Sequence, residues 1–366
     1  MSNEVNTMQG SGLKRRTLLK ALPLMALTNR AFAAAEPGLR LQKINCFELR
    51  VSDVERSVKF YQQLFGMSVQ SRNGGRVCLR VGAGPAFMAI RKVEAGEMPG
   101  ITHIGYSVEN FEQTRVQKAL EQSGYASVQA PALGSPGLAN AMKQWIRMRG
   151  DTPELYFTDQ SGLLLQLSDK SYCGGTGKLG AVCDKPEPVA PGLFKLTDIS
   201  HFTVFLGDGA AANTYYQNLF GLKVQAYQGP GAPVTGIGDG KQFVMYAGGG
   251  PAPGGAPPAA AGGAAPAAGP RPPTAARIDH GCFLMEGFKV DDVLAKLTSA
   301  GLSARPDRTP TGPLMHYISL RQPNRGGAEG GTPELYFSDP DGILMQLQDP
   351  SYCGGGGYLG NECLKA

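Results

Sequence analysis

Four histidines and seven cysteines are spread over 366 residues, and their positions bound the chemistry available to this chain. The histidines are His103, His201, His280 and His316. A neutral imidazole binds divalent metals, and its ordinary pKa lets it move protons near neutral pH. A lone histidine on a strand is more often a satisfied polar group, so weight falls on histidines at matching points of a repeat. The cysteines include two pairs with one spacing: Cys173 and Cys183 in SYCGGTGKLGAVC, Cys353 and Cys363 in SYCGGGGYLGNEC. In an oxidising compartment each pair is expected to close a local disulfide, worth about 3 kcal/mol for a loop of this length. Neither pair has the close spacing of a zinc knuckle. Cys46, Cys78 and Cys282 are left over and read as buried free thiols.

The elements that position these residues come in a repeat. INCFELRVSDVERSVKFYQQLFGMSVQ from Ile44 matches ISHFTVFLGDGAAANTYYQNLFGLKVQ from Ile199. ITHIGYSV from Ile101 matches IDHGCFLM from Ile278, and TPELYFTDQSGLLLQLSDKSYCGG from Thr152 matches TPELYFSDPDGILMQLQDPSYCGG from Thr332. Each half reads as βαβββ twice. Cys46 to Val51 alternates apolar and polar, as a half-buried strand does. Ser52 with Glu55 reads as a capping box for a helix through Val54, Val58, Tyr61 and Phe65, stopped by Gly66. Strands are expected at 77–80 and 86–90. A strand over 103–108 precedes a helix that starts at Asn110 and runs through Phe111, Val116 and Leu120 to Gly124. Strands at 145–148, 155–157 and 163–167 follow, the last two joined by a turn at 159–162. The predicted fold class is α+β, with four tandem βαβββ modules. The expected domains are 40–185 and 195–366, each long enough to bury its own core. The Ala/Pro/Gly run of 247–276 cannot bury enough apolar surface to order itself and reads as a loop.

Composition is that of a globular protein, with 42% apolar and 18% charged residues. Before residue 34, five basic residues (Lys14, Arg15, Arg16, Lys20, Arg30) stand against Glu4, which accounts for most of the net +5. The remainder is near neutral and has no basic run, which argues against nucleic acid as a partner. Lys14-Arg15-Arg16-Thr17-Leu18-Leu19-Lys20 resembles the twin-arginine export motif, and Ala31-Phe32-Ala33 is a small-x-small cleavage pattern. Residues 1–35 are therefore expected to be a signal peptide read by the twin-arginine machinery. The mature chain would be periplasmic or secreted and free of the membrane, with any cofactor loaded before export.

A strand, S/G-D, a helix and FGxxV, followed by YF-x-D-x-x-G-hydrophobic-Q, resemble the vicinal oxygen chelate superfamily. That superfamily includes glyoxalases, bleomycin-resistance proteins, epimerases and extradiol ring-cleaving dioxygenases. The resemblance covers about residues 44–169 and 199–349. It implies that the modules pair into two half-open barrels whose concave faces can hold a divalent metal. It places the metal ligands at Cys46, His103 and Gln166 in the first half, and at His201, His280 and Gln346 in the second. Tyr156 and Tyr336 take the place of a tyrosine beside the substrate. Only the second half keeps both histidines. Gln346 lacks the carboxylate of the family's dioxygenases, which weakens the hold on a hard dication. Glu334, two residues from Tyr336 and so on the same strand face, is the alternative oxygen ligand. His316 is the candidate acid or base, with an exposed strand position as its plain alternative, and His103 reads as structural.

The function that follows from the resemblance is a metal-dependent enzyme acting on a small phenolic or oxygen-rich substrate, most like an extradiol dioxygenase. Fe(II) or Mn(II) is the expected ion, with Zn(II) a further candidate, and Tyr336 and His316 are the expected catalytic residues. A glyoxalase-like lyase or isomerase needs the same metal without dioxygen. The rival of another class is a metal-free binding protein of the bleomycin-resistance type, which the paired glutamines favour. A structural accessory role is a third reading.

Overall fold

A computed structural model describes residues 38–134, 142–248, 276–307 and 309–364. The expected signal peptide and all but the edges of the Ala/Pro/Gly run lie outside the described residues. The first module is β1 (Leu41–Val51), α1 (Val54–Phe65), β2 (Val69–Asn73), β3 (Arg76–Arg80) and β4 (Phe87–Lys92). The second is β5 (Gly100–Val108), α2 (Gln113–Gln122), β6 (Ala126–Ser127), β7 (Lys143–Arg149), β8 (Thr152–Thr158) and β9 (Leu164–Ser168). The third is β10 (Leu196–Phe205), α3 (Gly209–Phe220), β11 (Val224–Tyr227), β12 (Pro233–Ile237) and β13 (Gln242–Ala247). The fourth is β14 (Arg277–Met285), α4 (Val290–Ser299), β15 (Ser303–Ala304), β16 (Met315–Arg321), β17 (Thr332–Ser338) and β18 (Leu344–Gln348).

Modules pair into two nine-stranded sheets of one topology, β2-β3-β4-β1-β5-β9-β8-β7-β6 and β11-β12-β13-β10-β14-β18-β17-β16-β15. The seam of each is the antiparallel contact between the first strands of its two modules, β1 with β5 and β10 with β14. This is the α+β arrangement of four paired modules that the repeat implies.

Strand alternation sends successive side chains to opposite faces, and that decides which residues reach a site. On β10, Phe202 and Val204 enter the core while His201, Thr203 and Phe205 face a cavity. On β18, Met345 and Leu347 enter the core while Leu344 and Gln346 face the cavity. The core is shared by the halves rather than divided between them. Phe47 meets Phe202 edge-on at 5.1 Å, and Phe65 of α1 reaches Phe283 and Phe337, each at 5.7 Å. Phe220 of α3 reaches back to Phe157 at 6.2 Å. Each such buried ring stabilises by roughly 1.5–3 kcal/mol, and α1 and α3 each present rings to the sheet of the other half.

Local differences from the expected elements have simple causes. Asp53, not Ser52, caps α1, its carboxylate accepting the Arg56 N–H at 3.0 Å. The Ser52 hydroxyl is instead bonded to Asp341 of the other half. Gly66 ends α1 in the left-handed conformation, φ 61°, and a Cβ there would meet the Gly192 backbone nitrogen at 2.7 Å. Helix α2 begins at Gln113 rather than Asn110, because Asn110 adopts φ 49° and cannot enter a helix. Strands β2 and β6 were not anticipated. Both are short edge-side strands, and β6 has only two residues.

Candidate functional site

In the second half, β10, β14, β17 and β18 bring together the residues that sequence placed at the site. His201 is 2% exposed and has both ring nitrogens engaged. Its Nδ1 lies 3.0 Å from the Ser200 hydroxyl and its Nε2 3.0 Å from Gln346 Oε1. Burial, reinforced by the nearby His280, pulls its pKa well below the ordinary value. The imidazole is therefore neutral, the state in which it can bind a cation. His280 Nδ1 is 3.0 Å from Asp279 Oδ2. A carboxylate on Nδ1 orients the ring and makes Nε2 the more basic donor, the usual outer support of a metal-binding histidine. The two rings are 5.9 Å apart between centroids and nearly perpendicular.

These groups line a cavity of about 300 Å³. Tyr336 stands edge-on to His280 at 5.2 Å, and Tyr317 of β16 stacks on it at 4.9 Å. The Arg305 guanidinium caps that stack, 3.4 Å from the centre of the Tyr317 ring. Glu334 forms a buried ion pair with Arg321, Nε to Oε1 2.8 Å, and accepts the hydroxyls of Tyr352 and Tyr336, each at 3.3 Å. Asp279 is matched by Arg277 at 2.6 Å. With both acids of the lining already paired, Arg305 and Arg325 leave the cavity net positive.

Whether a divalent ion suits this donor set can be judged from the geometry. A metal held at about 2.0–2.1 Å from Nε2 lies about 3.2 Å from the ring centre, so two imidazoles on one ion sit at most about 6.4 Å apart. His201 and His280 meet that limit. Gln346 Oε1 already faces His201 Nε2, and the other end of that amide, Nε2, is buried without a hydrogen-bond partner. Two imidazoles and an amide oxygen therefore fit a dication, with no anionic donor among them to compensate its charge. Among the described residues, no three His, Cys, Asp or Glu side chains converge as a metal cluster. Glu334 lines the cavity, but its carboxylate is committed to Arg321 and two tyrosines, which makes Gln346 the better placed oxygen donor.

His316 is not brought to the site. It precedes Tyr317, which faces the cavity, so alternation turns it to the other side. There its Nε2 is 2.9 Å from the Thr298 hydroxyl on α4. The expectation that it faces the substrate as acid or base is corrected accordingly. Both expected disulfides are present, Cys173–Cys183 and Cys353–Cys363, and Cys46, Cys78 and Cys282 are buried thiols.

The first half has the same framework with its concave face filled. His103 Nδ1 is 2.9 Å from the Thr102 hydroxyl and its Nε2 3.2 Å from Gln166 Oε1. Cys46, where the second half has His201, is a thiol whose pKa burial pushes well up, so it supplies no thiolate. Arg76 fills the space beside them, donating to Glu154 at 2.5 Å and to the Tyr172 hydroxyl at 2.7 Å. Glu48 completes the plug, bonded to Arg91 at 3.0 Å and within ion-pair distance of Arg76 and Arg149.

Strand register shows why the second half is open. Cys46 pairs with Phe87 and His201 with Phe243, so Glu48 corresponds to Thr203 and Arg91 to Ala247. Arg80 pairs with Phe87 and Gly236 with Phe243, so Arg76 corresponds to Ala232. Three buried charged side chains are thus replaced by a threonine and two alanines, and Thr203 and Ala247 line the cavity. Sequence reading missed this plug, and it missed Asp279, Arg305, Tyr317 and Tyr352. Charged residues at plug positions of one half facing small residues in the other were the available signal.

Comparison with known proteins agrees with the architecture. A 2,2',3-trihydroxybiphenyl dioxygenase of Sphingomonas paucimobilis is 24% identical over 177 residues, 48% of this chain and 54% of that protein. The match thus spans about half of that relative's length. Homoprotocatechuate 2,3-dioxygenase from Arthrobacter globiformis superposes with a TM-score of 0.51 at 16% identity, covering 86% of this chain and 82% of that one. An extradiol ring-cleaving dioxygenase from B. fuscum gives 0.53 at 16% identity, covering 88% and 74%. These structural likenesses speak for the fold. The sequence profile of the Glyoxalase/Bleomycin resistance protein/Dioxygenase superfamily matches residues 43–167 and 198–347, one segment in each half, and the chain belongs to that superfamily.

Proposed function

We propose that the second half is a metal-dependent active site for a small phenolic substrate and that its reaction is extradiol ring cleavage. The observation that carries this reading is the convergence of His201, His280, Gln346 and Tyr336 on an open cavity, while the equivalent space in the first half is plugged. His201, His280 and Gln346 would hold the ion. When bound, a divalent metal supplies Lewis-acid stabilisation to adjacent substrate oxygens, and for ring cleavage Fe(II) or Mn(II) rather than Zn(II) suits dioxygen chemistry. The relatives named as ring-cleaving dioxygenases support this choice over a glyoxalase-like lyase.

The chain's own groups have separable tasks. The cavity is of a size for a single-ring molecule. Arg305 and Arg325 favour a substrate that carries negative charge, such as a phenolate. Burial, with Glu334 close by, raises the Tyr336 pKa well above the ordinary phenol value, so its hydroxyl stays protonated, and rotation of that O–H away from Glu334 would let it donate to a substrate oxygen. Tyr317 and Arg305, stacked behind Tyr336, hold the plane of its ring. The test is anaerobic loading with Fe(II), Mn(II) or Zn(II), followed by metal content and oxygen uptake with a panel of catechols. About one ion per chain and catechol-dependent oxygen consumption with Fe(II) or Mn(II) are expected. A chain that binds catechols without metal would overturn the enzyme reading. It would favour a sequestering protein, a reading supported by the His201–Gln346 hydrogen bond that closes the donor pair on itself.

The export reading belongs to the same proposal. Arg15→Lys with Arg16→Lys should retain the precursor in the cytoplasm, as cell fractionation would show.

A further inference from the structure

We propose that the loop closed by Cys353–Cys363 is a positioning element of the second-half site, holding His201 and Tyr336 through three separate lines of contact. The first line runs through Phe243. Gly354, at φ 81°, lies so close to that ring that a Cβ would stand 2.9 Å from it, and Phe243 stacks face to face on His201 at 4.2 Å. The second runs through Tyr352, next to the disulfide. Gly360 lies flat against the Tyr352 ring, where a Cβ would meet a ring carbon at 2.5 Å, and Tyr352 packs on His201 at 5.5 Å.

The third runs through Arg321. It donates to the Gly355 carbonyl of the loop at 2.9 Å and to the Gly326 carbonyl at 2.8 Å. Its remaining edge holds Glu334, which accepts the Tyr336 hydroxyl. The loop is pinned to the sheet by Gln225, which donates to the Cys353 carbonyl at 2.7 Å. Within it the N–H groups of Cys353 and Gly355 both reach the Gly360 carbonyl, an arrangement the disulfide closes. Arg321 and Tyr352 are therefore positioning residues, and reduction of this disulfide loosens the rings that carry the site.

The first half supplies an internal control. Cys173–Cys183 closes the same loop, with Gly174 against Phe87 and Gly180 against Tyr172, but it bears on the plug and not on a cavity. The experiment compares wild type, Cys353→Ser/Cys363→Ser and Cys173→Ser/Cys183→Ser. Three readouts are the melting temperature, 4-nitrocatechol binding to the Mn(II)-loaded protein, and the imidazole carbon-proton NMR signals of the four histidines. Both double variants should melt earlier by similar amounts. Only Cys353→Ser/Cys363→Ser should weaken 4-nitrocatechol, by about 10-fold or more, and should shift and broaden the His201 signal. Equal probe affinity in the two variants, or an unmoved His201 signal, overturns the inference.

The binding arm rests on the metal-site reading above, whereas the NMR arm does not. A wild type that binds neither Mn(II) nor probe defeats that reading, and the His201 signal still decides the role of the loop.

Discussion

His201 and His280 illustrate how little separates a ligand from a structural histidine. Both His103 and His201 have a hydroxyl on Nδ1 and a glutamine oxygen on Nε2, and both have pKa values lowered by burial. What differs is the surroundings: His201 faces His280 across an open cavity, and His103 faces Cys46 and a plug. His280→Ala should thus reduce Mn(II) affinity by at least about 100-fold, since two of three neutral donors cannot hold a hard dication. His103→Ala should leave it within about twofold, measured by calorimetry. Gln346→Glu should tighten binding by about 10-fold, because a carboxylate supplies the charge that the amide lacks. An unchanged affinity in His280→Ala would place the ion elsewhere.

At the scale of elements, strand alternation explains what was legible in sequence and what was not. The resemblance placed His201, His280, Tyr336 and Gln346, and they reach one cavity because each module presents its residue at a fixed place on its strand. His316 failed because its face depends on the register of β16 against β17, where Tyr317 pairs with Tyr336 and takes the inward place. The plug was invisible for a different reason. Glu48, Arg76 and Arg91 lie on three strands, and a charged residue on an alternating strand ordinarily marks the solvent face.

Burial gives that plug a measurable signature. Although burial opposes ionisation of Glu154, Arg76, Arg149 and two tyrosine hydroxyls bring its pKa down to about 2. A depressed carboxylate contributes stability that is present above the unfolded pKa and lost as pH falls towards the folded one. Its contribution should vanish between about pH 4.5 and 2. Glu154→Gln leaves two buried arginines short of an anion and should cost about 3–5 kcal/mol at pH 7. Metal affinity in the other half should be unaffected. Urea titrations at pH 7 and 3 on this variant and wild type measure both effects, and a loss below about 1 kcal/mol would mean the network relaxes without its centre.

For the whole molecule, one pair of polar contacts between the halves lies where the tight turn of each meets the first helix of the other. Tyr61 of α1 donates to Asp339 at 3.3 Å, and Tyr216 of α3 donates to Asp159 at 2.7 Å, a reciprocal pair of contacts across the shared core. Arg56 and Ser52 add bonds to Asp341 on the first of these seams. Burial raises the Asp339 pKa from 3.8 to about 6, against the pull of the Ile343 and Asp341 N–H groups, and the neighbouring Asp341 charge raises it further. A raised carboxylate binds its proton longer in the folded state than in the unfolded one. Its contribution is therefore fully present below about pH 4 and is lost as pH rises towards 6.

Asp339→Asn removes this dependence while retaining an oxygen for the two N–H groups and a polar partner for Tyr61. Because burial lowers the pKa values of His103 and His201, which gives stability the opposite slope with pH, the quantity to follow is the difference between variant and wild type. That difference should move in favour of Asp339→Asn by about 1–3 kcal/mol between pH 4 and 7, read from urea midpoints at matched ionic strength. A flat difference would mean that Asp339 ionises at the seam without cost, and that the two halves are not held together through a buried acid.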